Sequence, residues 1–132
     1  MLILKTNKTQ VKDYKKIKSF IKHLNKEVKV EKDCSLLLYN EHGFDIFDME
    51  NKECQTPGYY ESNPSIIHAC CKGYKLKFIL ETIAHEYMHF MQENEYGINL
   101  SSMANSAKAY FTLEIRADKF MRKVVKGFFK NG

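Results

Sequence analysis

The sequence lacks several features that mark particular classes of protein. Its four cysteines form no C-x-x-C pair, and we expect them to be reduced thiols. No segment reaches the ~18 consecutive apolar residues of a membrane-spanning helix. The apolar run over residues 1 to 4 is too short for a signal peptide. We therefore expect a soluble, cytoplasmic protein without a membrane partner.

Internal repeats, low-complexity tracts and linkers are also absent. A chain of 132 residues without such features is expected to form one domain, residues 1–132. The oligomeric state stays open.

Arginine is scarce, although the net charge is +5. Of the 21 basic residues, only Arg116 and Arg122 are arginine. Arginine is the preferred side chain for bidentate contacts with bases and phosphates, so the balance argues against a nucleic-acid partner. We interpret the lysines as a solvated surface, and a nucleic-acid site is the alternative.

The spacing of apolar residues predicts an α+β fold. An N-terminal helix is followed by a small sheet of three to four strands and then by two further helices. The predicted elements are a helix over 12–28, strands over 34–39, 44–49 and 65–70, a helix from about 76 that ends before Gly97, and a helix over about 103–129. A turn over 40–43 joins the first two strands, and residues 51–64, with both prolines, are predicted to be a loop.

Residues 85 to 89 read H-E-Y-M-H, a match to the pattern H-E-x-x-H. On a helix, His85 and His89 are one turn apart and project from the same face, where both can bind one metal ion. Glu86 stands beside the first histidine, where its carboxylate can take a proton from a metal-bound water. This arrangement is typical of zinc-dependent peptidases.

A catalytic zinc ion uses three protein ligands and one open position, so a third ligand must come from elsewhere. Glu114 and Asp118 lie on or beside the apolar stripe of the last predicted helix. A buried carboxylate without a partner is costly, and a metal ion would supply one. We predict Glu114 as the third ligand and Asp118 as the acceptor of the free N–H of a ligating histidine. Ala117 is small enough to let the two helices approach closely.

Two alternatives exist for these residues. Exposed histidines without a metal would leave Glu114 and Asp118 unexplained on a packed face. A closed structural zinc site would need a fourth cysteine or histidine ligand and would give Glu86 no role.

The pattern of His85, Glu86 and His89 followed by Glu114-x-x-Ala-Asp118 resembles the gluzincin metallopeptidases. In scale the chain is similar to the compact ImmA/IrrE-like peptidases and the minigluzincins. The resemblance spans roughly residues 65 to 121 and implies a zincin-like fold. It also implies zinc bound by both histidines and the later glutamate, Glu86 as the general base, and Asp118 in support of a ligating histidine.

The same resemblance concerns how a substrate binds. In that family an edge strand just before the motif helix pairs with an extended peptide or protein substrate, and the strand over 65–70 stands in that place. An ordinary core strand is the alternative interpretation.

Other residues are candidates for supporting roles. Tyr110, one turn before Glu114, is the best candidate for a catalytic donor to the oxyanion, and a core aromatic is the alternative. His68 is a second candidate, with a packed or surface residue as the alternative. His23 and His42 are expected to face solvent.

Three functions compete. The leading hypothesis is a small zinc endopeptidase that hydrolyses peptide bonds with a zinc-activated water and Glu86 as base. The second is a zinc-containing binding protein, or a latent enzyme, without turnover. The third is a protease acting on DNA-associated proteins, similar to the SprT-like group, against which Glu114 in place of a third histidine argues.

Overall fold

The structure is a computed structural model that describes residues 1–6, 11–47, 52–100 and 107–131. It is α+β, with three described helices, a mixed four-stranded sheet and a separate two-stranded sheet. The elements in chain order are β1 (Leu2–Leu4), α1 (Tyr14–Glu27), β2 (Cys34–Tyr39), β3 (Phe44–Phe47), β4 (Glu53–Thr56), β5 (Gly58–Glu61), β6 (Ile66–Cys70), α2 (Leu76–Asn94) and α3 (Ala107–Asn131).

The four-stranded sheet has the order β1-β2-β6-β5. β2 pairs in parallel with both β1 and β6, whereas β5 is antiparallel to β6. Because side chains alternate along a strand, one face of β2 and β6 carries buried residues such as Leu36 and Ile67. Helices α1 and α2 pack on this face, and the core forms between them and the sheet.

The expectation that the strand over 65–70 lies at an edge is wrong. The strand forms as β6, over Ile66–Cys70, but it lies between β2 and β5. The edge strand beside α2 is β5, over Gly58–Glu61, inside the segment predicted to be a loop. That segment also contains β4. Pro57 and Pro64 lie outside both strands, so neither removes a donor from the ladders. Residue 51 lies outside the described residues.

The strand that begins at Phe44 is confirmed over Phe44–Phe47. It pairs with β4 in an antiparallel hairpin, so the turn over 40–43 connects two different sheets. Residues 48 and 49, at the predicted end of this strand, lie outside the described residues. The short strand β1 was not predicted, because three apolar residues alone do not distinguish a strand from a helix.

All three predicted helices are present. α1 is shorter than predicted by about one turn in total, and its lysines at 15, 16, 18, 22 and 26 are exposed as expected. α2 ends at Asn94, and Gly97 follows in the left-handed region at φ 67°. α3 begins at Ala107, and residue 103, the predicted start, lies outside the described residues.

α2 is the central element of the fold. One side of it contributes fully buried residues, among them Ile83, Tyr87 and Phe90, to the core beneath the sheet. The other side faces α3 and carries the motif histidines. Among the described residues, no helix is long and apolar enough to cross a membrane.

The four cysteines are unpaired. Burial raises the pKa of Cys34 to about 12 and the pKa values of Cys70 and Cys71 to about 11. These three thiols are therefore held in the protonated, unreactive form.

Candidate metal centre

α2 and α3 together build the candidate site. His85 of α2 contacts Asp118 of α3. Gln92, which lies seven residues later on α2, contacts Leu113, which lies five residues earlier on α3. The two helices therefore run in opposite directions. Ala117 is fully buried, as expected if a small side chain is needed for close approach of the helices.

The two motif histidines present their Nε2 atoms to a shared point. The Nε2 atoms of His85 and His89 are 3.3 Å apart. Glu114 joins them from α3, with Oε1 2.7 Å from His89 Nε2 and Oε2 3.1 Å from His85 Nε2. The ligand atoms of all three residues lie within 4.8 Å of one another, so the group could hold a metal ion. Within the part of the chain that the structure describes, it is the one such group.

The partners of the other ring nitrogens explain why both Nε2 atoms face inward. His85 Nδ1 lies 3.0 Å from Asp118 Oδ1, and His89 Nδ1 lies 2.9 Å from Gln92 Oε1. Both partners are acceptors, so each Nδ1 carries a hydrogen. When the ring is neutral, its Nε2 therefore keeps the lone pair that a metal ion needs. Asp118 thus lies next to the Nδ1 atom of a motif histidine, as the sequence predicted. Two imidazole nitrogens and one carboxylate form a ligand set that suits zinc and other divalent transition metals.

The ionisation of the group follows from its geometry. Burial disfavours charge on both imidazoles, but the hydrogen bonds and negative charges of Glu114 and Glu86 outweigh it and raise the pKa of His85 and of His89. Burial also disfavours charge on Glu114, yet the hydrogen bonds from His85 and His89 lower its pKa to about 2. The site therefore attracts positive charge, which a metal cation can supply.

Glu86 lies beside this group without belonging to it. Its Oε2 is 3.8 Å from His85 Nε2, and its side chain is 14% exposed. Burial raises the pKa of Glu86, against the opposing charges of His89 and His85 and a hydrogen bond from the backbone of Tyr60. Its carboxylate is therefore more basic than an ordinary glutamate.

A cleft of about 570 Å³ opens over the three ligands. Its walls come from the hairpin β3–β4, from β5, from α2 and from α3. The lining side chains outside the metal group are Ile46, Thr56, Pro57, Tyr59, Tyr60, Phe78, Glu81, Thr82, Glu86, Leu100, Tyr110, Leu113, Asp118 and Met121. The cleft is mostly apolar around its carboxylates and histidines.

Tyr110 lies in this cleft with 38% of its surface exposed, so its interpretation as a core aromatic is wrong. Burial and the charges of Glu114 and Glu86 raise its pKa. The phenol is therefore protonated at neutral pH and is available as a donor.

A hydrogen-bond network holds β5 against α2. Tyr60 donates to Glu93 Oε1 at 2.7 Å, and Ser62 donates to Glu93 Oε2 at 2.8 Å. At the other end of β5, Gly58 lies so close to α2 that a Cβ atom there would be 2.7 Å from Thr82 Cγ2. The edge strand is thus fixed along the cleft.

The remaining histidines lie away from the cleft. His68 is 7% exposed on the outer face of the sheet, where it bonds to the hydroxyl of Tyr39 at 2.7 Å and to Glu61 at 2.9 Å. It stacks on Tyr59 at 4.5 Å, so it is a packed residue and not a helper at the site. His23 is half-buried against Phe128, contrary to expectation, and His42 is exposed as expected.

Gln92 contacts a motif histidine, and this contact was not predicted from the sequence. It lies three residues after His89, and this spacing, which places both on one face of the helix, is the signal that could have found it.

Comparison of the chain with protein-family models, with curated proteins and with solved structures gave no match.

Proposed function

We propose that this protein is a small zinc-dependent endopeptidase of the gluzincin type. The observation that carries the proposal is the convergence of His85, His89 and Glu114 on one point, with the basic carboxylate of Glu86 beside them. The ligand set is that of catalytic zinc sites with three protein ligands, and the cleft leaves the point open to a substrate.

The bound ion would act as a Lewis acid on the scissile carbonyl and would lower the pKa of a water molecule. The residues of the chain supply the rest of the chemistry. Glu86 takes a proton from the attacking water as its oxygen joins the carbonyl carbon, and returns the proton to the departing amine as the C–N bond breaks. Tyr110, which lines the cleft from α3, donates a hydrogen bond to the developing oxyanion.

The substrate binds as an extended peptide or protein segment. β5 replaces β6 as the strand that pairs with it, because β5 is the edge of the sheet and lines the cleft. Pairing through backbone groups supplies affinity without strong selection among side chains.

The test is turnover of an unfolded protein substrate by the zinc-loaded protein. Glu86→Gln keeps the size of the side chain but cannot accept a proton, so activity should fall at least ~100-fold with zinc content unchanged. Glu81→Gln is the matched control, because Glu81 also lines the cleft but is not one of the three residues of the metal group, and it should retain activity.

Three outcomes count against the proposal. Equal cleavage by wild type and Glu86→Gln would exclude this mechanism. No cleavage by a wild type that binds zinc would favour a binding protein or latent enzyme. Cleavage only in the presence of DNA would favour a SprT-like protease.

A further inference from the structure

Gln92 is a buried amide on α2 that contacts α3. It is 1% exposed, and the only other buried polar side chain among the described residues is His68. Burying an amide is costly unless both its oxygen and its nitrogen are hydrogen-bonded. Gln92 meets this condition through two bonds to different helices.

The orientation of the amide follows from these two partners. Gln92 Nε2 donates to the backbone carbonyl of Leu113 at 3.2 Å. A carbonyl only accepts, so the amide nitrogen must face Leu113 and the amide oxygen must face His89 Nδ1, 2.9 Å away. His89 Nδ1 therefore carries a hydrogen, and a neutral His89 ring has its lone pair on Nε2.

The same side chain also fixes the distance between two candidate ligands. Leu113 immediately precedes Glu114, so the bond to its carbonyl holds the α3 backbone next to that ligand. The backbone oxygen of Gln92 in turn accepts the N–H of Ile98, beyond the end of α2. His89 and Glu114 are thus connected through one residue that is outside both the candidate metal group and the cleft lining.

We propose that Gln92 is a positioning residue for the metal site: it sets the tautomer of His89 and holds His89 in register with Glu114. The inference rests on the proposed metal site. The two histidines differ in the acceptor of their Nδ1–H group. His85 donates to the carboxylate of Asp118, whereas His89 donates to the neutral amide of Gln92.

Two substitutions separate the two bonds. Gln92→Met keeps a similar volume but removes both bonds. It should weaken zinc binding by ~10–100-fold and release His89 from the Nδ1–H tautomer. Gln92→Glu keeps an acceptor for His89 but loses the amide donor to Leu113, so it should retain most of the zinc affinity while unfolding at a lower temperature than wild type.

Zinc titration, thermal unfolding and ¹⁵N NMR of the histidine rings in the metal-free protein give the readouts. Asn94→Met is the matched control, because Asn94 is also a bonded amide on α2 but reaches Phe90 and Tyr60 instead of a histidine. It should leave the zinc affinity and the His89 tautomer unchanged.

The proposal is overturned if Gln92→Met keeps the wild-type tautomer and zinc affinity. It is also overturned if the loss of zinc affinity is proportional to the loss of stability in all three variants. A residue with a purely structural role would give that result. If Gln92→Met does not fold, Gln92→Glu is the test. Retained zinc affinity with a lower unfolding temperature supports the proposal, and a loss of both contradicts it. If wild type binds no zinc, the proposed function is wrong. The NMR measurement of the His89 ring in wild type and in Gln92→Met then still tests whether Gln92 sets the His89 tautomer.

Discussion

His85 Nδ1 lies 3.0 Å from Asp118 Oδ1, although the two residues are 33 positions apart in the chain. The contact joins the motif helix α2 to α3 one turn beyond Glu114. It directs the other nitrogen of the ring towards Glu114 and His89. A carboxylate that accepts from a ligating imidazole fixes its orientation and raises its basicity.

Asp118→Ala should therefore weaken zinc binding by ~10–100-fold without abolishing it. Asp118→Asn, which keeps an acceptor but loses the charge, should fall between wild type and the alanine variant. Isothermal titration with zinc measures all three. Asp45→Ala is the control, because Asp45 also holds a side-chain hydrogen bond, to Gln55 on the hairpin. An affinity for Asp118→Ala equal to that of wild type would refute this role.

Gly58→Ala should destabilise the protein by about 1–3 kcal/mol, the usual cost of overpacking. The added methyl group would meet the backbone oxygen of His68 and the side chain of Thr82, both at 2.7 Å. Urea unfolding measures the effect. Gly43→Ala is the matched control, since its nearest neighbour would be at an ordinary 3.4 Å. Equal stabilities of the two variants would show that β5 can move away from α2 at little cost.

Tyr87→Phe should leave the protein as stable as wild type or more stable by about 1 kcal/mol. The hydroxyl of Tyr87 is buried and has no hydrogen-bond partner among the described residues, so removing it relieves a desolvation cost. Tyr60→Phe is the contrasting variant, because the Tyr60 hydroxyl bonds to Glu93 at 2.7 Å, and its loss should destabilise. Thermal unfolding measures the stability of both variants. A clear loss of stability in Tyr87→Phe would contradict the expectation.

The sequence predicted the parts of the site that depend on helical spacing. His85 and His89 are one turn apart on α2, and Glu114 and Asp118 are one turn apart on α3, so their shared faces follow from local periodicity alone. Burial of Ala117 between the helices was predictable for the same reason. The metal that these residues bind, and the reaction, stay predictions.

The parts that the sequence missed depend on contacts between distant segments. β5 was hidden because its flanking prolines and Gly58 are typical of a loop, and only its pairing with β6 makes it a strand. Because β5 pairs with β6, His68 lies on an inner strand and not at the edge of the sheet. The role of Gln92 depends on the position of the Leu113 carbonyl, which no pattern within α2 contains.

The most direct test of this account is the location and identity of the bound metal. Crystals of zinc-loaded protein, with diffraction data collected on both sides of the zinc absorption edge, would show it. We predict one anomalous peak at ~2.0–2.2 Å from His85 Nε2, His89 Nε2 and the Glu114 carboxylate, and no peak in His85→Ala. A wild-type protein with no zinc at this point, or with zinc held by other residues, would contradict the account.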